Sequence, residues 1–294
     1  MNNAKTQYVE PSSNSIGHAI ETATKVFNDA KIDNPAFEAK LLMQHCIDES
    51  LAFLISHSAD ALSSAQHEQF FQWVNRRYNG EPIAYIVGET GFWDLNLYCN
   101  SSTLIPRSDT EILVEWALSL PLPNDASVLD LGTGTGAIAL SLASQHPGWM
   151  VTGVDVVMDA VVLAKRNAER NQLDATFLQS DWFASLQHQK FDLIVSNPPY
   201  VEENSPYLHK GDLRYEPQTA LVSGQCGLAD IRTIIDNAKD YLTNNGWLLI
   251  EHGHKQALMV QSELKQKQYI QIETRKDLNS LDRVTGGCNS FFRR

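Results

Sequence analysis

Residues 128–140 read VLDLGTGTGAIAL, and this stretch decides the fold of the chain. An apolar run leads into it, and a second apolar run with helical spacing follows. Three glycines, Gly132, Gly134 and Gly136, stand between the two runs. Because glycine lacks a Cβ atom, the backbone can turn tightly at these positions and approach a ligand closely. The stretch therefore predicts a strand, a ligand-binding loop and a helix.

Strands and helices alternate around this stretch, from about residue 106 to the end of the chain. Short apolar runs such as FDLIVSN (residues 191–197) predict strands, and longer amphipathic runs such as DAVVLAKRNAERNQL (residues 159–173) predict helices. Two weaker strands are predicted near residues 268–274 and 288–293. This alternation is typical of α/β folds in which helices cover both faces of a mostly parallel sheet, and we expect seven strands.

The N-terminal part of the chain has a different character. Residues 16–80 show helical periodicity, so we expect residues 1–81 to form an all-helical domain with residues 1–15 as a loose tail. In residues 82–105, β-branched and aromatic residues alternate with polar ones, which predicts a β-hairpin connector. The α/β domain is then expected to span residues 106–294.

The composition narrows the classes of function. The 294 residues carry a formal net charge of −12 and a pI of about 5.1, whereas proteins that hold a long nucleic-acid backbone are usually basic. The cysteines form no CxxC pair, so the sequence predicts no zinc or redox site. The polar N-terminus differs from a signal peptide, and no apolar run approaches the roughly 18–20 residues of a membrane helix. We therefore expect a cytoplasmic protein with no metal, membrane or nucleic-acid partner.

The glycine loop by itself leaves the cofactor open. Asp155 follows about 20 residues later, at the end of the next predicted strand, where a carboxylate accepts hydrogen bonds from ribose hydroxyls. Gly132, Gly134 and Ala137 also satisfy the dinucleotide pattern, so a nicotinamide cofactor is one alternative and a ligand-free turn another. Asp130, just before the loop, would repel a pyrophosphate but suits the ammonium group of a methionine moiety. Together with the proline motif described below, it favours S-adenosylmethionine.

A further acidic residue follows the third predicted strand, in the sequence SDWF (residues 180–183). An acid beside an aromatic ring fits an adenine base. Asp181 can accept a hydrogen bond from the exocyclic amine, and Trp182 can pack near the ring. The alternative is a capped turn with a core tryptophan.

A strand that ends in Asn197-Pro198-Pro199-Tyr200 fits methyl transfer to a planar –NH2 group. Such a nitrogen is a poor nucleophile because its lone pair is delocalised, so the site must orient it and accept both N–H hydrogens. The Asn197 side-chain oxygen and the Pro198 carbonyl are two acceptors, and neither proline has a competing N–H. The Tyr200 ring offers a flat face to the substrate. The alternative is an ordinary proline-rich strand exit in which Asn197 caps a turn.

Taken together, these motifs resemble Rossmann-like S-adenosylmethionine-dependent methyltransferases that act on planar –NH2 groups. More narrowly, the chain is similar to the HemK-type release-factor glutamine methyltransferase family. The resemblance covers about residues 81–285 and rests on the blocks PIAYIVGETGFWDLNL, LIPRSDTE, SNPPYVEE, LRYEPQTAL, LLIEHG and DRVTGG.

This resemblance implies N5-methylation of the glutamine in the GGQ loop of class 1 peptide chain release factors, with the helical domain gripping the release factor. It implies that the substrate glutamine contacts Asn197, Pro198, Pro199 and Tyr200, of which Asn197, Pro198 and Tyr200 are expected to be catalytic. The implied cofactor contacts are Gly132, Thr133, Gly134, Thr135, Gly136, Asp155, Trp182 and Asn197. We expect the enzyme to be a monomer.

Two departures from the family pattern stand out. Ser108 occupies the usual position of a proline in IPRSDTE, which predicts a less stiff loop around the retained Arg107, Asp109 and Glu111. The ending GGCNSFFRR also differs from the usual Gly-Arg, which bears on the last strand and not on the chemistry.

Two other hypotheses stay open at this point. The NPPY element also occurs in adenine N6-methyltransferases of DNA and RNA, but such an enzyme needs a basic groove, and the N-terminal unit is acidic. A catalytically silent adaptor that only binds the cofactor is the second, and the intact Asn197 and Tyr200 argue against it.

Overall fold

The structure, a computed structural model, describes residues 14–209 and 211–289 of the chain. The predicted tail, residues 1–15, therefore lies almost entirely outside the described residues. Two compact units divide the chain, the first ending at Gly88 and the second beginning at Glu89. Among the described residues, no helix combines the length and apolar character needed to cross a membrane.

The first unit is all-helical over its described residues, as the periodicity predicted. Serine side chains begin three of its helices: those of Ser15 and Ser50 accept a backbone N–H, and Ser63 forms a capping box with Gln66. Large apolar side chains such as Phe27 are fully buried between the helices. The helices are α1 (Ile16–Asp29), α2 (Pro35–Ile47), α3 (Leu51–Ser56), α4 (Ser64–Tyr78) and α5 (Ile83–Val87).

Helix α5 corrects the predicted hairpin at residues 82–105. The alternation in its sequence indicated a strand, but this part of the prediction is wrong because the segment is helical. Gly88, with a φ of +83°, ends the helix, and Ile86 is buried in the core of the first unit. This packing overrides the strand preference of isoleucine and valine. The hairpin that does form has two antiparallel strands, β1 (Glu89–Phe92) and β2 (Leu95–Tyr98).

The second unit contains a seven-stranded, mostly parallel sheet, which confirms the predicted fold class. Its strands are β3 (Ser127–Leu131), β4 (Met150–Asp155), β5 (Thr176–Gln179), β6 (Phe191–Ser196), β7 (Leu242–Glu251), β8 (Ile270–Lys276) and β9 (Asp282–Cys288). The strand order is β5-β4-β3-β6-β7-β9-β8. In this sheet β9 runs antiparallel to both of its neighbours, and the other pairs are parallel.

The last strand lies earlier in the chain than predicted. The sequence predicted it near residues 288–293, whereas β9 ends at Cys288, and the predicted range from residue 290 lies outside the described residues. A Cβ atom at Gly286 would come within 2.4 Å of the Leu249 side chain. The glycines of this segment therefore permit a close approach to β7, although they weaken the strand signal in the sequence.

Helices cover both faces of the sheet. The strand side chains alternate between two apolar layers, so that Val128 belongs to one layer and Leu129 to the other. Helices α6 (Glu111–Ser119), α7 (Ala137–Gln145) and α8 (Met158–Asn171) pack on the first face, and α9 (Ala229–Ala238) and α10 (Ala257–Gln266) on the second. The chain adds β4 and β5 on one side of β3, and then crosses over to add β6 and β7 on the other side. The strand order therefore reverses at β3, which lies between β4 and β6. In open α/β sheets, ligands bind in the crevice beyond the carboxyl ends of the strands at such a point.

Candidate active site

A cavity of about 260 Å³ opens at this carboxyl edge of the sheet. Its wall brings together most of the site residues predicted from the sequence, although they come from four separate segments of the chain. The predicted residues that line it are Gly132, Thr133, Gly134, Thr135, Asp155, Asp181, Trp182, Asn197 and Pro199.

Three predicted residues do not line this cavity. A Cβ atom at Gly136 would lie 3.2–3.3 Å from Leu140, Ala164 and Phe177, so this glycine allows close packing behind the loop. Pro198 is buried. Tyr200 is partly buried against the core, and its hydroxyl donates a hydrogen bond of 3.3 Å to Glu251.

The glycine loop folds back onto the end of β4. The backbone N–H groups of Gly132 and Thr133 both donate to the carbonyl of Val154, each at 2.9 Å. Gly132 and Gly134 have φ values of +72° and +56°, in the left-handed region that favours glycine. The positions therefore require glycine for the backbone conformation, as the sequence predicted.

Asp155 lines the cavity and also accepts a hydrogen bond from the glycine loop. Its Oδ2 accepts a hydrogen bond of 2.9 Å from the Gly134 N–H, and its Oδ1 accepts one of 2.9 Å from Val157. Burial raises the pKa of this carboxyl, while hydrogen bonds from Val157, Gly134 and Val156 oppose the rise. Each oxygen keeps a further lone pair, so the carboxylate can hold the loop and still accept hydrogen bonds from a ligand.

Asp130 lies under the loop and not in the cavity wall. It is fully buried, and its Oδ2 accepts hydrogen bonds from the Thr133 hydroxyl at 2.6 Å and from the Ala139 N–H at 3.3 Å. That this carboxylate suits the ammonium group of a cofactor stays a prediction, although Asp130 does not itself line the cavity. The sequence showed that a carboxylate follows the strand, but not that its side chain turns inward.

Trp182 lines the cavity beside the glycine loop. A Cβ atom at Gly132 would lie 3.7 Å from the indole ring. A hydrogen bond of 2.8 Å from the Ser180 hydroxyl to the Trp182 carbonyl fixes the turn, in which Trp182 has a φ of +47°. Asp181 is exposed at the rim of this turn. The tryptophan of SDWF is thus a wall of the cavity as well as a partner of the core.

Asn197 carries the most informative polar atom of the wall. Its Nδ2 donates a hydrogen bond of 3.1 Å to the Thr110 hydroxyl. Its Oδ1 is buried and has no hydrogen-bond partner among the described residues. A buried acceptor without a partner costs about 1–3 kcal/mol, so such atoms are rare and need an explanation. An incoming N–H donor would supply one.

Arg107 was known from the sequence only as part of a family block, and the structure adds its partner. Its guanidinium lines the cavity and forms an ion pair with the buried carboxylate of Glu216. The same segment continues to Thr219 and Ala220, which also line the cavity. More than a hundred residues separate the two charges, so only the fold could show the pair. Ser108 begins a short 3₁₀ turn beside it.

Glu251 lies behind the Asn-Pro-Pro-Tyr loop and is almost completely buried. Burial raises the pKa of its carboxyl from 4.5 to about 7, against the lowering effects of the Thr110 hydroxyl, the Arg283 charge and the Tyr200 hydroxyl. Arg283 in turn pairs with Asp109 at 3.1 Å. The carboxyl is therefore costly to ionise in the folded state.

This raised pKa predicts a pH-dependent effect of Glu251→Gln. Between about pH 4.5 and 7, the folded state holds a proton that the unfolded state releases, so stability falls as the pH rises through this window. Glutamine does not ionise. We therefore expect the free energy of unfolding of the variant, relative to that of wild type, to increase by about 2–3 kcal/mol between about pH 5 and pH 8. The melting temperature of the variant should rise relative to wild type over the same range. Thermal unfolding followed by circular dichroism tests this, and a difference independent of pH would contradict it.

In the described part of the chain, no group of three or more histidine, cysteine, aspartate or glutamate side chains is arranged to hold a metal ion. The polar side chains that line the cavity are hydroxyls, the Asn197 amide, the Trp182 indole N–H, the Arg107 guanidinium and the carboxylates of Asp155, Asp181 and Asp230.

Known proteins give two kinds of similarity. A family model described as "PrmC N-terminal domain" matches residues 18–88, and one described as "Methyltransferase small domain" matches residues 108–210. The release factor glutamine methyltransferase of Shewanella oneidensis is 48% identical over 88% of this chain and 91% of its own length. The enzyme of Salmonella typhimurium is 43% identical over 92% of this chain and 97% of its own length. The enzyme of Escherichia coli is 43% identical over 87% of this chain and 92% of its own length.

Solved structures share the fold at lower identity. A methyltransferase from Pyrococcus furiosus has a TM-score of 0.52 and 18% identity, covering 74% of this chain and 98% of its own. The catalytic domain of hMettl16, in complex with an RNA hairpin, has a TM-score of 0.55 and 15% identity, covering 81% and 85%. Identities this low support the fold and nothing about the substrate.

Proposed function

The chain belongs to the release factor glutamine methyltransferase family, and we propose that it methylates the N5 nitrogen of a glutamine in a class 1 peptide chain release factor. The proposed target is the glutamine of the GGQ loop, and the proposed methyl donor is S-adenosylmethionine. Because release factors act in translation, the proposed place of the reaction is the cytoplasm.

The cavity fits this cofactor. Trp182 lies beside the glycine loop in the cavity wall, and its indole ring suits contact with a flat adenine ring. The Asp155 carboxylate in the wall suits ribose hydroxyls. Bound there, S-adenosylmethionine supplies an electrophilic methyl group. The proposed cofactor residues remain those predicted from the sequence: Gly132, Thr133, Gly134, Thr135, Gly136, Asp155, Asp181, Trp182 and Asn197.

The unpartnered Oδ1 of Asn197 is the observation that carries the proposal. The substrate amide nitrogen has two N–H donors, and Asn197 presents a buried, fixed acceptor in the cavity wall. As the nitrogen–methyl bond forms, the donor's sulfur–methyl bond would break and leave its electron pair on sulfur; positive charge then develops on this nitrogen, and an oriented acceptor stabilises it. We propose the Pro198 carbonyl as the second acceptor. One N–H proton then leaves for solvent, which restores a neutral secondary amide.

In this proposal Tyr200 contributes its ring, as the sequence indicated. Its hydroxyl is engaged with Glu251, so the ring is the part that remains to support the substrate or the loop. Pro198 and Pro199 keep the loop between Asn197 and Tyr200 stiff, because their φ angles are fixed. Little ordering cost then falls on substrate binding.

The remaining parts of the proposal concern the partner. We propose that the N-terminal helical domain, residues 1–81, grips the release factor, that residues 82–105 connect it to the methyltransferase domain at 106–294, and that the enzyme acts as a monomer. The match of residues 18–88 to the description "PrmC N-terminal domain" supports a separate N-terminal domain. The net charge of −12 disfavours the alternative of an adenine N6-methyltransferase on DNA or RNA.

The direct test is transfer of a labelled methyl group from S-adenosylmethionine to a purified class 1 release factor. We expect transfer to the wild-type factor, and none to a matched factor whose GGQ glutamine is replaced or to DNA and RNA. Transfer to nucleic acid alone would support the adenine alternative. Cofactor binding by calorimetry without turnover on any of these substrates would support a silent adaptor.

A further inference from the structure

The Asn-Pro-Pro-Tyr loop is held at its first end by the sheet. Asn197 directly follows β6, which pairs with β3 and β7, and its Nδ2 donates to the Thr110 hydroxyl. Pro198 and Pro199 have no N–H, so the loop has no backbone donor at these two positions. The direction of the Pro198 carbonyl, the proposed second acceptor, therefore depends on how the chain is held beyond Pro199.

Gln256 holds the second end of this loop. It lies in the turn between β7 and α10, is 8% exposed and does not line the cavity. Its Nε2 donates hydrogen bonds of 3.1 Å to the Tyr200 carbonyl and 3.2 Å to the Gly227 carbonyl, and the Cys226 carbonyl is further away at 3.5 Å. Its Oε1 accepts a hydrogen bond of 2.8 Å from the Gly253 N–H. One buried amide thus joins three segments of the chain.

The neighbours of this amide determine its orientation. The Gly253 N–H can only donate, and the carbonyls of Tyr200 and Gly227 can only accept. Oε1 must therefore face Gly253, and Nε2 must face the two carbonyls. In the opposite orientation the amide oxygen would meet carbonyl oxygens and the –NH2 group would meet an N–H.

The peptide group between Tyr200 and Val201 is held from both sides. Its carbonyl accepts from Gln256, and its N–H donates a hydrogen bond of 2.8 Å to the Leu221 carbonyl. Gly227 has a φ of +65°, and a Cβ atom there would lie 2.2 Å from the Tyr200 oxygen, so this close approach requires glycine. The peptide group cannot rotate without losing both hydrogen bonds.

We infer that Gln256 is a positioning residue, which fixes the Tyr200 peptide group and, through the two prolines, the direction of the Pro198 carbonyl. The prolines transmit the constraint because their φ angles are fixed. The inference rests on the proposed function for its effect on catalysis, but the anchoring itself is a property of the free protein. Gln256 acts through the backbone and does not touch the reacting atoms.

Gln256→Met removes these hydrogen bonds, adds no charge and nearly keeps the length of the side chain. We expect kcat to fall by about tenfold, the rate equivalent of one neutral hydrogen bond. The KM for the release factor and the Kd for S-adenosylmethionine should stay near the wild-type values, because the residues of the cavity wall are unchanged. A rise in KM at unchanged kcat would contradict a positioning role.

Gln261→Met is the matched control. Gln261 lies on α10, donates a hydrogen bond of 2.8 Å to the Thr274 hydroxyl and does not line the cavity. We expect its kcat to equal that of wild type. An equal loss of kcat in Gln261→Met and Gln256→Met would overturn the inference.

Gln256→Glu separates the anchoring of the loop from closure of the turn at residues 253–256. An ionised carboxylate can still accept from the Gly253 N–H but has no hydrogen for the Tyr200 carbonyl. At pH 8.5, we expect its kcat to be as low as that of Gln256→Met or lower. Wild-type kcat in this variant would overturn the inference, because closure of the turn would then be sufficient.

A measurement without substrate keeps this inference separate from the proposed function. The Val201 backbone amide, followed by NMR hydrogen exchange, should exchange slowly in wild type and Gln261→Met and clearly faster in Gln256→Met. The Val195 amide in β6 should exchange equally in all three proteins.

Equal Val201 exchange in all three proteins would refute the anchoring, even if the enzyme methylates release factors. Faster exchange of both amides in Gln256→Met would also contradict it, because the loss of protection would then be global. Faster exchange of Val201 alone, without methyl transfer by wild type, would instead refute the proposed function and leave the anchoring in place.

Discussion

Asn197→Ala is expected to lower kcat by about 10²–10³-fold, the usual loss when one positioned hydrogen-bonding group is removed from a centre where charge develops. The buried Oδ1 would be absent, and the substrate nitrogen would lose its fixed acceptor. The fold should survive, because among the described residues the side chain makes a single hydrogen bond, from Nδ2 to Thr110. Steady-state kinetics with a release factor, at saturating cofactor, measures the effect.

Asn237→Ala provides a matched control for this variant. Asn237 is exposed on helix α9 and donates from its side chain to a carbonyl of its own helix, outside the cavity wall. We expect its turnover to equal that of wild type. Near-normal turnover of Asn197→Ala, with an unchanged melting temperature, would remove Asn197 from the mechanism.

Asp155→Ala should act mainly on cofactor affinity. We expect the Kd for S-adenosylmethionine to rise by about 10–100-fold, since hydrogen bonds to a charged group contribute about 1.5–3 kcal/mol. The structure adds a second cause, because the same carboxylate accepts the Gly134 and Val157 N–H groups and holds the loop in place. Isothermal titration calorimetry measures the change directly.

The control for this prediction is Asp159→Ala. This carboxylate lies on the first turn of α8, is exposed and does not line the cavity, so the cofactor Kd should stay at the wild-type value. If Asp155→Ala bound the cofactor as tightly as Asp159→Ala does, the ribose assignment would be wrong. At saturating cofactor, Asp155→Ala should recover much more of its kcat than Asn197→Ala.

The sequence predicted those parts of the site in which a local pattern determines the position of a side chain. The glycine loop and Asp155 follow directly from strand ends, and parallel strands bring such ends to one edge of the sheet. Asn197 follows in the same way from the end of β6. For these residues, chain direction and strand order are enough.

The parts that the sequence could not give depend on packing between distant segments. Eighty-seven residues separate Asn197 from Thr110, and 109 separate Arg107 from Glu216, so no local pattern connects them. The inward turn of Asp130 likewise depends on the helix packed above it. Helix α5 differs from the predicted strand because burial of Ile86 in the helical unit outweighs local preference.

The central claim, that this cavity methylates a release factor glutamine, is tested most directly by mass spectrometry of the GGQ peptide. The release factor is incubated with S-adenosylmethionine and either wild-type enzyme or Asn197→Ala, and then digested. We predict the added mass of one methyl group on that glutamine with wild type, and a strongly reduced amount with the variant. An unmodified glutamine after incubation with active wild-type enzyme, or a methyl group on another residue, would contradict the claim.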